Sequence, residues 1–312
     1  MGKQDKSRAD WSNYWRGRGE DDPGEVFAGV GIETSEELAA VWRGVFAGFG
    51  GGVILDLACG AGSALKHADA SGGGLHIGAD ISEHAVLAAQ KAVPAIAGLV
   101  ASADRLPLRD ASIDQVVSQF GFEYANRPAA SAEIARILKL GGRFTAVTHM
   151  AGGAIAAECE DHLATLDQIR DSGSIPAAKA FFSALYRLEA DQSPANQAAT
   201  QAAATAFQGA QSAMLPAIQK GGIAGHLQQG ARQLYERRRS YAEADIAGWL
   251  HGMEGEIAAY RGRMTGMLGA AISANEARTL IDTIDPSGTG TLTPLSLGGD
   301  TAAYILSATK PG

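Results

Sequence analysis

Cysteine is scarce in this sequence: Cys59 and Cys159 are the only two among 312 residues. Two cysteines are too few for a disulfide framework or a cysteine-rich zinc cluster, so neither kind of small stapled domain is expected. The first ten residues are polar and lack the apolar stretch of a secretory signal. No uncharged apolar run reaches the roughly 18 residues that a membrane span requires. We therefore predict a cytoplasmic protein without membrane insertion.

Basic residues are also in the minority. The chain has 26 Lys and Arg against 34 Asp and Glu, which gives a formal net charge of -8. Nucleic-acid binding depends on a basic surface that releases counterions from phosphates, so no nucleic-acid partner is expected. Hydrophobic residues make up 46% of the sequence, enough for the buried core of a globular protein.

The pattern from Val53 onward predicts an α/β fold. Apolar strand-like runs alternate with helical patterns, as in a parallel sheet covered by helices. The helix before the fifth strand is predicted to end at the glycine turn of "KLGGR", with Gly141 as its cap. The predicted strands of this part are 53–57, 75–80, 97–102, 114–119 and 143–149.

A change of composition marks a predicted insertion between 151 and 272. Ala, Gln, Leu and Arg dominate there, β-branched residues are few, and apolar residues recur at helical spacing. Beyond it, Ser273 to Glu276 fits a capping box, and two β-like runs predict a terminal antiparallel pair. Four domains are predicted. They are an N-terminal helical or lid segment (1–50), a cofactor-binding core (51–150), a helical cap on the acceptor side (151–272) and a C-terminal helix with a strand pair (273–312).

The stretch "VILDLACGAG", residues 53–62, runs from the first predicted strand into a glycine turn. Ligands of open α/β sheets bind beside such turns, at the carboxyl ends of the strands. A dinucleotide fingerprint, G-x-G-x-x-G, is incomplete because Leu65 stands in the third glycine position. Asp56 would repel a pyrophosphate and attract an ammonium group, such as that of S-adenosylmethionine. An NAD-dependent oxidoreductase is therefore disfavoured.

The second predicted strand, "LHIGAD", ends in another carboxylate, Asp80. Such a residue can accept hydrogen bonds from both hydroxyls of a ribose, which suits either nucleoside cofactor. The alternative is that Asp80 caps the N-terminus of the helix that follows.

Four segments in order, "ILDLACGAG", "GADIS", "ASADRLPLRDASIDQVVSQFGFEYA" and "EIARILKLGGRFTAVTH", resemble the class I S-adenosylmethionine-dependent methyltransferases. The resemblance is greatest to the small-molecule branch that includes the ubiquinone and menaquinone biosynthesis methyltransferases. It implies a Rossmann-like seven-stranded, mostly parallel sheet with an antiparallel terminal strand, here carrying the helical cap insertion. It also implies methyl transfer from S-adenosyl-L-methionine to O, N, S or C of a small-molecule acceptor by in-line displacement. The alternative is a non-catalytic S-adenosylmethionine-binding or assembly module.

The resemblance also implies a set of cofactor contacts. Asp56 and the turn after it would hold the methionine portion, Asp80 the ribose, and Ile81 the adenine. The residues after the third strand would contact the adenine amino group, and those at the end of the fourth strand would face the methyl group. The implied cofactor-binding residues are Asp56, Ala58, Cys59, Gly60, Gly62, Asp80, Ile81, Ser102, Ala103, Asp104, Gln119 and Phe120.

Candidate catalytic residues follow the fourth and fifth strands. A sulfonium methyl group is already activated, so the protein must mainly align the acceptor and sometimes remove a proton. His149, at the end of the fifth strand, is the best-placed proton acceptor, and Glu123 and Tyr124 share the same rim. Local hydrogen bonding and packing are the alternative roles of these three.

The N-terminus concentrates aromatic residues in a chain that has only 6% of them. Trp11, Tyr14 and Trp15 recur at i, i+3 and i+4, so on a helix they form one apolar face. This face is predicted to close over the cofactor or acceptor, with plain packing as the alternative. No metal is expected, because the calcium-loop-like "DPSGTG" has Ser296 where the final Glu is required.

Overall fold

The computed structural model describes Trp11, Trp15 and residues 32–68 and 74–312. The chain divides into two compact units. The second unit is Ala157–Gly269, and the first consists of the chain before it, up to Ala156, together with Ala270–Gly312. Among the described residues, no helix combines the length and apolar character that a bilayer crossing requires. Nor do three or more His, Cys, Asp or Glu side chains among these residues cluster as a metal site would need.

Seven strands form one sheet in the first unit. They are β1 (Val53–Leu57), β2 (Leu75–Asp80), β3 (Ile96–Val100), β4 (Ile113–Gln119), β5 (Leu138–His149), β6 (Thr291–Leu297) and β7 (Asp300–Thr309). Their order is β3-β2-β1-β4-β5-β7-β6. Strands β1 to β5 are parallel, and β7 runs antiparallel to both β5 and β6. The predicted α/β fold, with its mostly parallel Rossmann-like sheet and antiparallel terminal strand, is confirmed.

The helices of the described chain are α1 (Ile32–Phe46), α2 (Glu83–Ala92), α3 (Arg127–Ile137), α4 (Ala154–Ser172), α5 (Ser174–Ala190), α6 (Pro194–Ala213), α7 (Leu215–Gln219), α8 (Gly222–Glu236), α9 (Glu243–Ala270) and α10 (Ala274–Ile284). Ser273 caps α10 by accepting a hydrogen bond at Oγ from the Glu276 N–H, 3.3 Å away. The N-cap expected from the capping-box pattern is therefore confirmed.

The core of the first unit lies between the sheet and its helices. Leu55, Val116 and Phe144 come from three neighbouring strands and have no exposed surface, and they pack with Ile134 of α3 and Leu280 of α10. Strands buried on both faces carry continuous apolar runs rather than alternating ones, which explains why β1 reads "VILDL". The carboxylate within this run, Asp56, is consequently buried too.

The prediction that Gly141 caps the helix before β5 is wrong. Helix α3 ends at Ile137, and β5 begins with the next residue, so Gly141 lies inside the strand. Its φ of +76° coincides with a shift in the register of β4 against β5. The Gly141 N–H donates to the carbonyl of Lys310, 2.8 Å away. The glycine therefore makes a bulge, a second common use of a positive φ.

The second unit is entirely helical in its regular structure and has its own apolar core. Leu166, Phe182, Met214, Leu227 and Leu250 are almost completely buried there and belong to one cluster. The alanine- and glutamine-rich stretch after residue 192 forms helix α6, whose N-cap is Ser193.

Candidate active site

A cavity of about 580 Å³ opens at the carboxyl ends of β1, β2, β3 and β4. All the cofactor-binding residues implied by the sequence line it except Gly62. Gly62 has a φ of +81° and shapes the turn instead. Bringing these distant segments together follows from the strand order, because parallel strands end at the same edge of the sheet.

The glycine turn after β1 has an unusual backbone. Ala58 and Gly60 have φ angles of +55° and +51°. The Cys59 N–H donates to the Ala79 carbonyl at 3.0 Å and ties the turn to β2. A Cβ at Gly121 would lie 2.6 Å from the Ala58 Cβ, so the chain after β4 passes close enough to require a glycine there. The turn is thus held from two sides.

Ala58 occupies a left-handed conformation that favours glycine, so we expect Ala58→Gly to stabilise the protein. The left-handed region costs a non-glycine residue roughly 1–2 kcal/mol, partly offset by the greater unfolded-state entropy of glycine. Chemical denaturation should show a net gain of about 0.5–1 kcal/mol. The control is Ala61→Gly, at a position whose φ is not positive, where glycine should destabilise. A loss of stability in both variants would show that Ala58 is unstrained.

Asp56 is a buried carboxyl group with spare hydrogen-bonding capacity. Its residue is 1% exposed, and its Oδ2 atom has no hydrogen-bond partner among the described residues. Burial raises the pKa of Asp56 well above its usual range, the nearby charge of Asp80 adds to this, and the Leu65 N–H opposes it. A buried unpaired acceptor is costly, so this atom calls for a ligand that donates to it.

Asp80 is also buried but well bonded by the backbone. Its Oδ1 accepts from the Ser82 N–H at 2.8 Å, and its Oδ2 accepts from the Gly60 N–H at 3.1 Å. Burial raises the pKa of Asp80, whereas these backbone donors lower it. Helix α2 is capped by Ser82, so the alternative that Asp80 serves as its N-cap is wrong. Each carboxylate oxygen retains lone pairs for a ligand that lies in the cavity.

The loop after β3 supplies a third polar group. Ser102 Oγ donates to Asp104 Oδ1 at 2.6 Å, and both residues line the cavity together with Ala103. The pair fixes the Asp104 carboxylate beside the backbone of Ala103. The predicted contact with an adenine amino group has an acceptor available here.

The three candidate catalytic residues meet at the end of β5. Nδ1 of His149 lies 2.7 Å from Glu123 Oε1, which also accepts from the His149 backbone N–H at 2.9 Å. Both residues are at least 98% buried, and neither is among the described residues that line the cavity. Tyr124 does line it, and its ring meets the His149 ring edge-on, with centroids 5.8 Å apart. Of the three, Tyr124 is the one among the described residues that lines this cavity.

Two of the three predicted lid residues are placed at the same cavity. The Trp11 ring packs edge-on against Tyr124 with centroids 5.0 Å apart. A Cβ at Gly60 would lie 2.7 Å from Cζ2 of Trp15, so this indole covers the glycine turn. Tyr14 lies outside the described residues.

Sequence reasoning missed three polar contacts at this site. The indole of Trp42, in α1, donates to Oε1 of Gln119 across 77 residues of sequence. Nε of Arg127 lies 3.1 Å from Glu276 Oε1, and its Nη1 donates to the Ala270 carbonyl at 3.1 Å. Arg127 and Glu276 both line the cavity. No local pattern signals these pairs, because each joins segments that only the sheet topology brings together.

Residues 55–146 match a family model described as a methyltransferase domain. The match covers less than a third of the chain, and it begins within β1 and ends within β5. This part of the chain is a methyltransferase domain. No curated protein matches the chain.

Several solved structures are similar over part of the chain. The YcgJ protein of Bacillus subtilis is 26% identical with a TM-score of 0.33, over 37% of this chain and 52% of that one. An S-adenosylmethionine-dependent methyltransferase of Mesorhizobium loti is 27% identical with a TM-score of 0.31, over 36% and 53%. A Streptomyces coelicolor geranyl diphosphate C-methyltransferase, solved with S-adenosyl-L-homocysteine, is 16% identical with a TM-score of 0.37, over 46% and 65%. The chain thus spans less than two thirds of each of these three proteins.

Proposed function

We propose that this protein is an S-adenosylmethionine-dependent methyltransferase that acts on a small-molecule acceptor. The observation that carries the proposal is the buried Oδ2 of Asp56, at the mouth of the glycine turn, which has no hydrogen-bond partner among the described residues. Within a methyltransferase domain, such an atom suits the ammonium group of the cofactor's methionine portion. A pyrophosphate at the same place would meet a carboxylate, which argues against NAD.

The other cavity residues fit the remaining parts of this cofactor. Asp80 has the lone pairs to receive two ribose hydroxyls, and the Ser102–Asp104 pair offers an acceptor for the adenine amino group. Asp56, Asp80 and the Ser102–Asp104 pair would hold S-adenosylmethionine, which would supply an activated methyl group to the acceptor and keep the S–CH₃ electron pair on its sulfur. The chain's task is then to align the acceptor and to exclude water.

Aromatic residues that line the cavity would supply that alignment. Tyr124, Trp11 and Trp15 give the cavity an aromatic side, which suits a flat or apolar acceptor. Glu123 and His149 form a buried pair, and the His149 ring packs edge-on against Tyr124. Proton removal by His149 stays a prediction.

The sequence resemblance supports the finer part of the proposal. It favours the small-molecule branch that includes the ubiquinone and menaquinone biosynthesis methyltransferases. The same proposal includes the four predicted domains, 1–50, 51–150, 151–272 and 273–312, with the helical insertion on the acceptor side. A non-catalytic S-adenosylmethionine-binding module would show cofactor binding without turnover.

Replacement of Asp80 by Asn tests the cofactor site. Loss of charge-assisted hydrogen bonds to a ribose should weaken S-adenosylmethionine binding by about 1–3 kcal/mol, roughly 10- to 100-fold, in titration calorimetry. The matched control is Asp282→Asn, at an exposed carboxylate on α10, which should leave the affinity unchanged. Unchanged binding by both variants, or competition by NAD against S-adenosylmethionine in the wild type, would contradict the proposed site.

A further inference from the structure

One end of the Gln119 side-chain amide is held by a hydrogen bond from a residue that does not line the cavity. Gln119 ends β4 and lines the cavity, and its Oε1 accepts a hydrogen bond from Nε1 of Trp42. Trp42 has no exposed surface, and its ring is stacked on Phe46 one turn further along α1. The donor is thereby fixed in place by packing within the first unit.

The chemistry of Trp42 decides which way the amide faces. An indole N–H can only donate, so the group that meets it must be the carbonyl end of the amide. The NH₂ end of Gln119 then points away from Trp42, and it has no hydrogen-bond partner among the described residues. Gln119 therefore offers the cavity the two donors of its NH₂ group, while its carbonyl already accepts from Trp42.

We infer that the acceptor presents an oxygen to these donors, as a phenolate, enolate, carboxylate or carbonyl group does. This inference rests on the proposed function and adds the substrate class. The oxygen is either the atom methylated or a neighbour of the methylated carbon. A protonated amine has donors but no acceptor, so its N–H groups would oppose those of Gln119, and the site disfavours it.

The residue also sits where the resemblance places the methyl group, at the end of the fourth strand. Donors at this position hold an acceptor oxygen in place and favour its deprotonated form. Trp42 is a positioning residue in this arrangement, because it acts only through the orientation of Gln119. Without the indole, the amide is free to turn its carbonyl toward the cavity.

The test observes the Gln119 amide directly. In ¹H–¹⁵N spectra of the S-adenosylhomocysteine complex, its NH₂ signals are assigned by their absence in Gln119→Glu. Titration with 4-nitrophenolate should shift these signals, and titration with protonated 4-nitrobenzylamine should leave them in place. A response to the amine alone, or to neither probe, would overturn the inference. Failure of the wild type to bind S-adenosylhomocysteine is measured separately and would count against the proposed function.

Two variants extend the test. In Gln119→Glu, one oxygen accepts from Trp42 and the other faces the cavity as an acceptor, so the preference should reverse toward the amine, with phenolate affinity reduced at least about tenfold. In Trp42→Phe, the preference between the two probes should shrink while the fold, checked by circular dichroism, persists. Retained phenolate preference in Gln119→Glu would refute the inference. So would a tenfold loss of S-adenosylhomocysteine affinity in Trp42→Phe, since the amide orientation would then serve the cofactor.

Discussion

Replacing Asp56 by Asn is expected to stabilise the ligand-free protein and, at the same time, to remove most of its affinity for S-adenosylmethionine. The carboxyl group is buried beside Asp80 and has an unpartnered oxygen among the described residues. Its charged form is therefore unfavourable without a cationic ligand, and a neutral amide of the same shape avoids that cost. The melting temperature should rise by about 2 °C or more, the shift that roughly 1 kcal/mol produces in a large domain.

The same variant should bind S-adenosylmethionine about 10- to 100-fold more weakly, because a charged hydrogen bond to the ammonium group is lost. Differential scanning calorimetry measures the first effect and titration calorimetry the second. Asp282→Asn, at an exposed carboxylate, should change neither quantity. A gain in stability together with a loss of binding affinity would show that Asp56 serves the ligand rather than the fold. A variant that loses both would show that Asp56 mainly supports the fold.

A pH dependence follows from the raised pKa of Asp56, whose main cause is burial. A carboxyl group whose pKa is higher in the folded state than in the unfolded state favours folding while it is protonated. Its contribution is present below the unfolded-state pKa and is lost as pH rises through the folded-state value. The stability advantage of Asp56→Asn should accordingly grow as the pH is raised. At pH values between the unfolded-state and folded-state pKa of Asp56, cofactor binding should release a proton, seen as a buffer-dependent heat.

The strands could be predicted because their signal is local. The run of apolar residues in β1 and the abrupt glycine turn after it are visible without any tertiary knowledge, and so is the carboxylate at Asp80. The terminal helix was predictable for the same reason, since Ser273 and Glu276 lie within one turn. Gly141 misled because a positive φ serves helix caps and strand bulges alike.

The polar contacts of the cavity were not predictable from such signals. Trp42 reaches Gln119 only because α1 packs beside the end of β4, and Arg127 reaches Glu276 only because α3 and α10 both lie at the cavity. In the sequence, an isolated tryptophan in an amphipathic helix has the pattern of ordinary core packing. The residues implied for the cofactor follow short segments, whereas these two contacts depend on long-range pairing.

Removing His149 alone should have the largest effect on stability. Its imidazole and its backbone N–H both bond to one oxygen of Glu123, in a region with almost no solvent access. His149→Phe keeps an aromatic ring against Phe120 and Tyr124 but leaves the carboxyl group without its side-chain partner. Breaking a buried pair in this way typically costs about 3–5 kcal/mol, which denaturant unfolding would detect.

The double variant Glu123→Gln, His149→Phe then distinguishes a structural role of His149 from a catalytic one. The amide oxygen of Gln can still accept from the backbone N–H of residue 149, and no buried charge is left unpaired, so most of the lost stability should return. Because the imidazole lies off the described lining of the cavity, S-adenosylmethionine affinity and the rate of methyl transfer should stay within a few-fold of the wild type. A stable double variant that binds the cofactor normally but transfers methyl groups far more slowly, with an altered pH profile, would instead show that the His149 imidazole removes a proton during the reaction.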